Sequence, residues 1–134
     1  MLQAELFNTK FSVCTEIRKM LLEDSKIKEL VDNKIFPIVA PEGTVGNFIV
    51  YVRDQYSISK TKQGIYEQQC IVFVSCISDK YDVSQEIADA VFQCLVGRYK
   101  IDTGKIVINS IEMLDSTEDY GKGMYIQTLE FSIK

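Results

Sequence analysis

The 134-residue sequence contains no histidine. Its absence removes the commonest general base and the Ser-His and Cys-His pairs that activate most nucleophiles. It also removes the imidazole from any zinc set, and Cys14, Cys70, Cys76 and Cys94 show no C-x-x-C spacing to replace it. No metal or cofactor is expected. Each cysteine has an apolar neighbour (Val13, Ile71, Ile77 or Leu95), so reduced thiols acting as small hydrophobes are expected rather than disulfides. No run of about 18 apolar residues occurs, and Gln3 to Lys10 alternates in polarity without a signal-peptide core. Neither a membrane span nor export is expected, and the cytoplasm is the expected place of synthesis and residence.

A basic stripe is also missing. Residues 1–67 hold nine basic and nine acidic groups and residues 68–134 hold six and ten, which leaves a net charge of −4 carried by the second half. A protein that grips phosphates needs clustered cations, and the nearest approach is Lys60 with Lys62, so direct, sequence-specific nucleic-acid binding is disfavoured. Only two prolines occur, Pro37 and Pro41, and both fall in one segment.

What is present is 46% apolar and 25% charged, the balance of a globular chain, and the length suits a single domain over 1–134. From Phe11 to Leu22 the residues Phe11, Cys14, Ile17, Met20 and Leu21 recur at steps of three and four, predicting an amphipathic helix. Asp24 or Ser25 caps a shorter helix that runs to Val31. The two prolines remove backbone donors and make 35–43 a short extended edge segment leading into a turn. Alternation predicts a strand from Phe48 to Ile58, a polar hairpin tip over 59–64, and a returning strand from about Ile65 to Ser78. Its middle, Cys70 to Ile77, is apolar on both faces and belongs at the sheet centre. A further helix spans Asp82 to Leu95 and stops at Gly97. Strands over Ile106 to Leu114 and Met124 to Ile133 follow, joined by an acidic connection, Asp115 to Gly123.

The order helix-hairpin-helix-hairpin predicts an α+β fold with two to three helices packed on a four-stranded sheet. The sheet is all antiparallel if the last strand lies beside the central one, and mixed if a right-handed crossover places 106–114 there.

The search for chemistry is mostly negative. Glu86 and Asp89 sit on a solvated helix side, and Asp115, Glu118 and Asp119 sit in the acidic connection, so no carboxylate pair for acid–base work is formed. The string from Gly97 to Ile106 fails as a phosphate loop because six residues separate its glycines and Ile106 stands where Ser or Thr is needed. Seven tyrosines and seven phenylalanines lie mainly on strands without clustered cations, which suits core and subunit contact better than base stacking.

The segment Ile35-Phe36-Pro37-Ile38-Val39-Ala40-Pro41-Glu42-Gly43, followed by Asn47-Phe48-Ile49-Val50-Tyr51, resembles the tail-completion (tail-terminator) family of long-tailed bacteriophages and their prophages. That family carries I-[FY]-P-x-x-A-P-x-G after an amphipathic helix, then a strand entered through P-[FY]-x-V-Y. Asn47 stands where the family often has proline. The rest of the order, through Val72-Phe73-Val74-Ser75, Ser84 to Val91 and Leu129 to Ile133, follows the same pattern over residues 8–134. The resemblance implies a non-enzymatic subunit of a homo-oligomeric, hexameric ring. The ring would cap the tail tube protein, meet the head-completion protein, and pass from the host cytoplasm into the virion tail.

Independently, the sequence places Ile49, Tyr51, Ile71 and Phe73 on one sheet face and Val50, Val52, Val72 and Val74 on the other. Both faces then need cover, and a partner subunit or the first helix on the far side must supply one, with Tyr51 and Phe73 candidates for the subunit contact. Closed rings use two different complementary patches. Lys60 and Lys62 offer a basic one, and Asp115, Glu118 and Asp119 an acidic one. The rival readings are a small-molecule-binding α+β regulatory domain and an enzyme using Cys70 or Cys76. The helix assignment is checked by Val91→Ala and Leu95→Ala, each expected to lower stability by about 2 to 3 kcal/mol, seen as a lower melting midpoint.

Overall fold

The computed structural model describes residues 9–64 and 66–134; the alternation expected over 3–8 and the strand start expected at Ile65 lie outside them. Helix α1, Val13–Glu23, buries the predicted Ile17, Met20 and Leu21, but Val13 takes the place expected for Phe11, which lies before the helix at 67% exposure, and Cys14 is only half-buried. Glu16 shares that buried side, its carboxylate 3.4 Å from the Lys19 ammonium. Helix α2, Ser25–Val31, starts at Asp24, whose side chain accepts from the Ile27 N–H at 3.0 Å. Of the two candidate caps it is therefore Asp24 that takes up an orphan donor. Helix α3, Tyr81–Leu95, has Lys80 at its N-cap, without a side-chain cap, and Asp82, expected as the cap, lies in its first turn; its stripe Ile87, Ala90, Val91, Cys94 and Leu95 is buried. Gly97, at φ +87, turns the chain out of it.

The four-stranded expectation is corrected. The sheet has six strands in the order β1-β2-β3-β6-β5-β4, and it is mixed and curled. They are β1 Ile35–Pro37, β2 Phe48–Lys60, β3 Tyr66–Ser78, β4 Tyr99–Asp102, β5 Val107–Gly121 and β6 Met124–Ile133. Strand β1 adds a parallel edge to β2, and all other neighbours are antiparallel. The two added strands are three and four residues long, and mostly exposed β4 carries no burial alternation. Backbone pairing, which leaves no mark on composition, defines them. Register shifts at Arg53/Gln55 in β2 and Met113/Asp115 in β5 mark bulges, which increase local twist and so help the sheet curl.

The acidic connection is also corrected: Asp115 to Gly121 continues β5, and only Lys122 and Gly123 form the turn. Both have positive φ, 53 and 77, the geometry of a tight two-residue hairpin. The stretch lacked a period-2 signal because Asp115 to Tyr120 is exposed on both faces.

The pairing corrects the face assignment. Tyr51 is opposite Val74 and Val52 opposite Phe73, so Tyr51 and Phe73 lie on opposite faces. One face carries Ile49, Tyr51, Val72, Val74, Leu129 and Phe131, buried in one cluster with Ile17, Leu21, Ile87, Val91 and Leu95 of the helices. All three helices pack there.

Asn47 holds two elements together at the entry to β2. Its amide nitrogen donates to the Leu30 carbonyl of α2 at 3.1 Å, and its oxygen accepts from the fully buried Ser78 hydroxyl at 2.7 Å. That hydroxyl in turn accepts from the Lys80 N–H at 3.1 Å at the approach to α3. Asn47→Ala strands both partners, and the expected loss is about 1 to 3 kcal/mol, measured by chemical denaturation.

Candidate functional site

The face of the sheet turned away from the helices is built from two unlike halves. On β2 and β3 it carries Val50 and Val52 beside Ile71, Phe73 and Ile77, with Phe48 next to the Phe36 ring of β1 at 6.5 Å. Ile71, Ile77 and Phe48 are buried by their neighbours, while Val50, Val52 and Phe73 are half-buried. On β6 and β5 the same rows continue into polar and acidic residues. Phe73 is opposite Glu130, which is opposite Asp115; Ile77 is opposite Ile126, which is opposite Asp119; and Ser132 is opposite Glu112. The described residues place no helix over this face.

The acidic set named from sequence is divided by this pairing. Asp115 and Asp119 belong to the open face, whereas Glu118, opposite Gln127, turns to the helix side. There the Tyr81 hydroxyl donates to Glu118 Oε2 at 2.7 Å and the Gln127 amide donates to the same oxygen at 2.9 Å. The Gln127 amide also reaches the buried Ser84 hydroxyl at 3.2 Å, so Glu118 ties the β5–β6 ribbon to the first turn of α3. Glu112 and Glu130, which join Asp115 and Asp119 on the open face, escaped the sequence reading. Alternation of Glu130 with Leu129 and Phe131 marks it as facing away from the core, but only the cross-strand register assembles the row.

The basic pair lies elsewhere. Lys60 ends β2 with its ammonium 5.9 Å from the Tyr66 ring centroid, and exposed Lys62 is in the turn that follows. That turn lies beyond the Cys70–Ile133 end of the β3–β6 pairing, whereas the Lys122–Gly123 turn lies beyond its Ser78–Tyr125 end. Lys60 and Lys62 therefore lie at one end of the sheet, while Asp115 sits in its central Phe73–Glu130 row and Asp119 nearer the other end. Tyr51 is buried in the core at 5% exposure, and Phe73 is half-buried on the open face.

The thiols are poorly placed for nucleophilic chemistry. Burial pushes the Cys14 thiol up to about 11 and raises Cys70, Cys94 and fully buried Cys76 as well. A thiol so shifted is inert at neutral pH, which counts against an enzyme using Cys70 or Cys76. Among the described residues no group of three or more His, Cys, Asp or Glu is arranged to hold a metal. A polar pocket of about 460 Å³ opens between the β2–β3 hairpin and β5, lined in part by Lys10, Ser57, Gln69 and Asn109. Lys10 is 5% exposed, donates to the Val107 carbonyl, and has its pKa lowered by burial.

No family model and no curated protein matches the sequence. The fold, however, is similar to a chain in the virion of a native gene transfer agent particle. The TM-score is 0.71 at 18% identity, covering 87% of this chain and 89% of that one. At that identity the likeness is one of fold, and it extends over nearly the whole of both chains.

The Tyr81 hydrogen bond, followed by that of Gln127, holds the Glu118 carboxyl below its ordinary value. A lowered carboxyl pKa favours the folded state above the unfolded pKa, and that contribution disappears as pH falls through the folded value. Tyr81→Phe is expected to raise the Glu118 pKa in an NMR titration, and the melting difference between parent and variant should shrink on acidification.

Proposed function

We propose that this chain is a structural subunit of a phage-like virion, forming a homo-oligomeric ring of six copies that closes the tail tube and presents a surface to the head-completion protein. The observation that carries this reading is the near end-to-end similarity of its fold to a chain of a gene transfer agent virion. The resemblance of Ile35 to Gly43 and Asn47 to Tyr51 to the tail-completion family supports the finer assignment to the tube end. The open sheet face supports it too, because its half-buried Val50, Val52 and Phe73 lie beside a polar, acidic half, the composition of a contact made after folding rather than of a core. The separation of Lys60 and Lys62, at one end of the sheet, from Asp115 and Asp119, on the open face of β5, suits a head-to-tail arrangement, in which unlike patches of successive copies meet.

Electron microscopy of the purified full chain is expected to show closed rings with a central opening, and addition to polymerising tail tube protein should leave tubes capped and arrested. Lys60→Glu with Lys62→Glu should weaken assembly at low ionic strength and lose that effect at high salt. A chain that stays monomeric at every concentration and leaves tube growth unchanged would overturn the reading. The rival, a small-molecule-binding domain, is favoured by the pocket beside Lys10. Its distinguishing outcome is a monomer whose melting temperature rises with a small anionic metabolite.

A further inference from the structure

The loop between β1 and β2 holds three large aliphatic side chains in water: Ile38 at 74% exposure, Val39 at 71% and Val45 at 75%. It is not a slack connection. Ile38 has φ +67, and the Val39 N–H donates to the Pro37 carbonyl at 2.6 Å, so the chain leaves β1 through a positive-φ γ-turn centred on a β-branched residue. Such a conformation is strained for isoleucine and persists only where its surroundings impose it. They do so here: the Ile38 N–H donates to the Tyr51 carbonyl at 2.7 Å, the Thr44 hydroxyl and N–H both donate to the Pro41 carbonyl, and the Lys34 ammonium donates to the Val45 carbonyl at 2.9 Å. The loop is therefore pre-organised, with its apolar side chains held outward, which lowers the ordering cost of a contact. Nothing in the subunit's own core uses them.

At the opposite edge of the sheet is a feature of matching chemistry. Phe92 and Val96 at the end of α3, Tyr99 at the start of β4, and Ile111 with Met113 on β5 line a mainly apolar groove of about 400 Å³. Tyr99 is 69% exposed at its rim, and Leu114 just beyond it is 53% exposed. The charges also correspond. Residues 38–47 carry one charged group, Glu42, while the groove and the segment beside it carry Arg98, Lys100 and Lys105 against Asp102 and the groove-lining Glu112, a small positive excess. Loop and groove lie on the first and last strands of the order β1-β2-β3-β6-β5-β4, so one copy cannot join its own pair but successive copies can.

We infer that the loop carrying Ile38, Val39 and Val45 docks into the Phe92–Val96–Met113 groove of a second copy of this chain, making the head-to-tail apolar contact between neighbouring subunits. This rests on the ring reading and assigns it a contact. Such a contact is heterologous, and its repetition generates a closed ring when the rotation between copies closes.

The test uses two variants of the full chain. Ile38→Asn with Val39→Ser breaks the loop while asparagine tolerates the left-handed backbone, so the subunit should melt at the parent's temperature or above it. Tyr99→Glu alters an exposed position at the groove and sets a carboxylate against Glu42 of the incoming loop. Sedimentation at high salt, where exposed charge pairs are screened, is expected to show each variant self-associating at least tenfold more weakly than the parent. An equimolar mixture of the two should form dimers and stop there, since the intact loop of one fits the intact groove of the other and both remaining patches are broken. Rings from either variant alone, or a mixture that stays monomeric, overturn the loop–groove contact while the ring reading stands. A parent that never self-associates overturns both.

Discussion

Strand β3 is the constraint on which the molecule is built. From Cys70 to Ile77 it presents apolar residues to both sides, and such a strand must have a neighbour on each edge and cover on each face. Its edges are taken by β2 and by β6, the latter reached only after the chain has passed through α3, β4 and β5. Pairing β3 with β6 therefore closes the helix layer over Val72, Val74, Leu129 and Phe131 and fixes where every later residue falls. Asn47 and Ser78 lock the same region from the side, joining the end of α2, the entry to β2 and the end of β3.

The helix layer satisfies one side of that requirement and leaves the other to lateral packing among Phe36, Phe48, Ile71 and Ile77. The sheet curls through two bulges, with helices on one face and a mixed apolar and acidic face opposite, and that open face is the surface the proposed assembly would use. The subunit's own hydrogen bonding points the same way. Glu118 is spent inside the subunit on Tyr81 and Gln127, whereas the carboxylates of Asp115 and Asp119 accept only local bonds, from the Ser116 and Tyr120 N–H groups at 2.8 Å each. One ribbon thus holds a carboxylate bound into the fold and two that the fold leaves at its surface.

The same separation holds for backbone strain. Ile38 keeps a conformation that a glycine would adopt freely, and the hydrogen bonds that hold it there come from the edge of β2 and from Lys34 rather than from the core. Exposing Ile38, Val39 and Val45 adds nothing to the core, and the proposed loop–groove contact gives the arrangement a use.

The sequence by itself determined the elements whose burial is periodic. The stripes of α1 and α3, the cap at Asp24, the stop at Gly97 and the two-sided burial of β3 are local consequences of side-chain chemistry, and they appear close to where the pattern put them. It also carried the segment Ile35 to Gly43, on which the resemblance to the tail-completion family rests. Only the tertiary structure decided the number of strands, because β1 and β4 exist through backbone bonds to partners rather than through a pattern of their own. It likewise decided that Asp115 to Gly121 is strand, that Tyr51 faces the helices while Phe73 faces away, and that Glu118 is turned from Asp115 and Asp119. Those facts follow from register: shifting an antiparallel pair by one residue exchanges every side chain between faces, and a single strand's sequence does not state its partner's number.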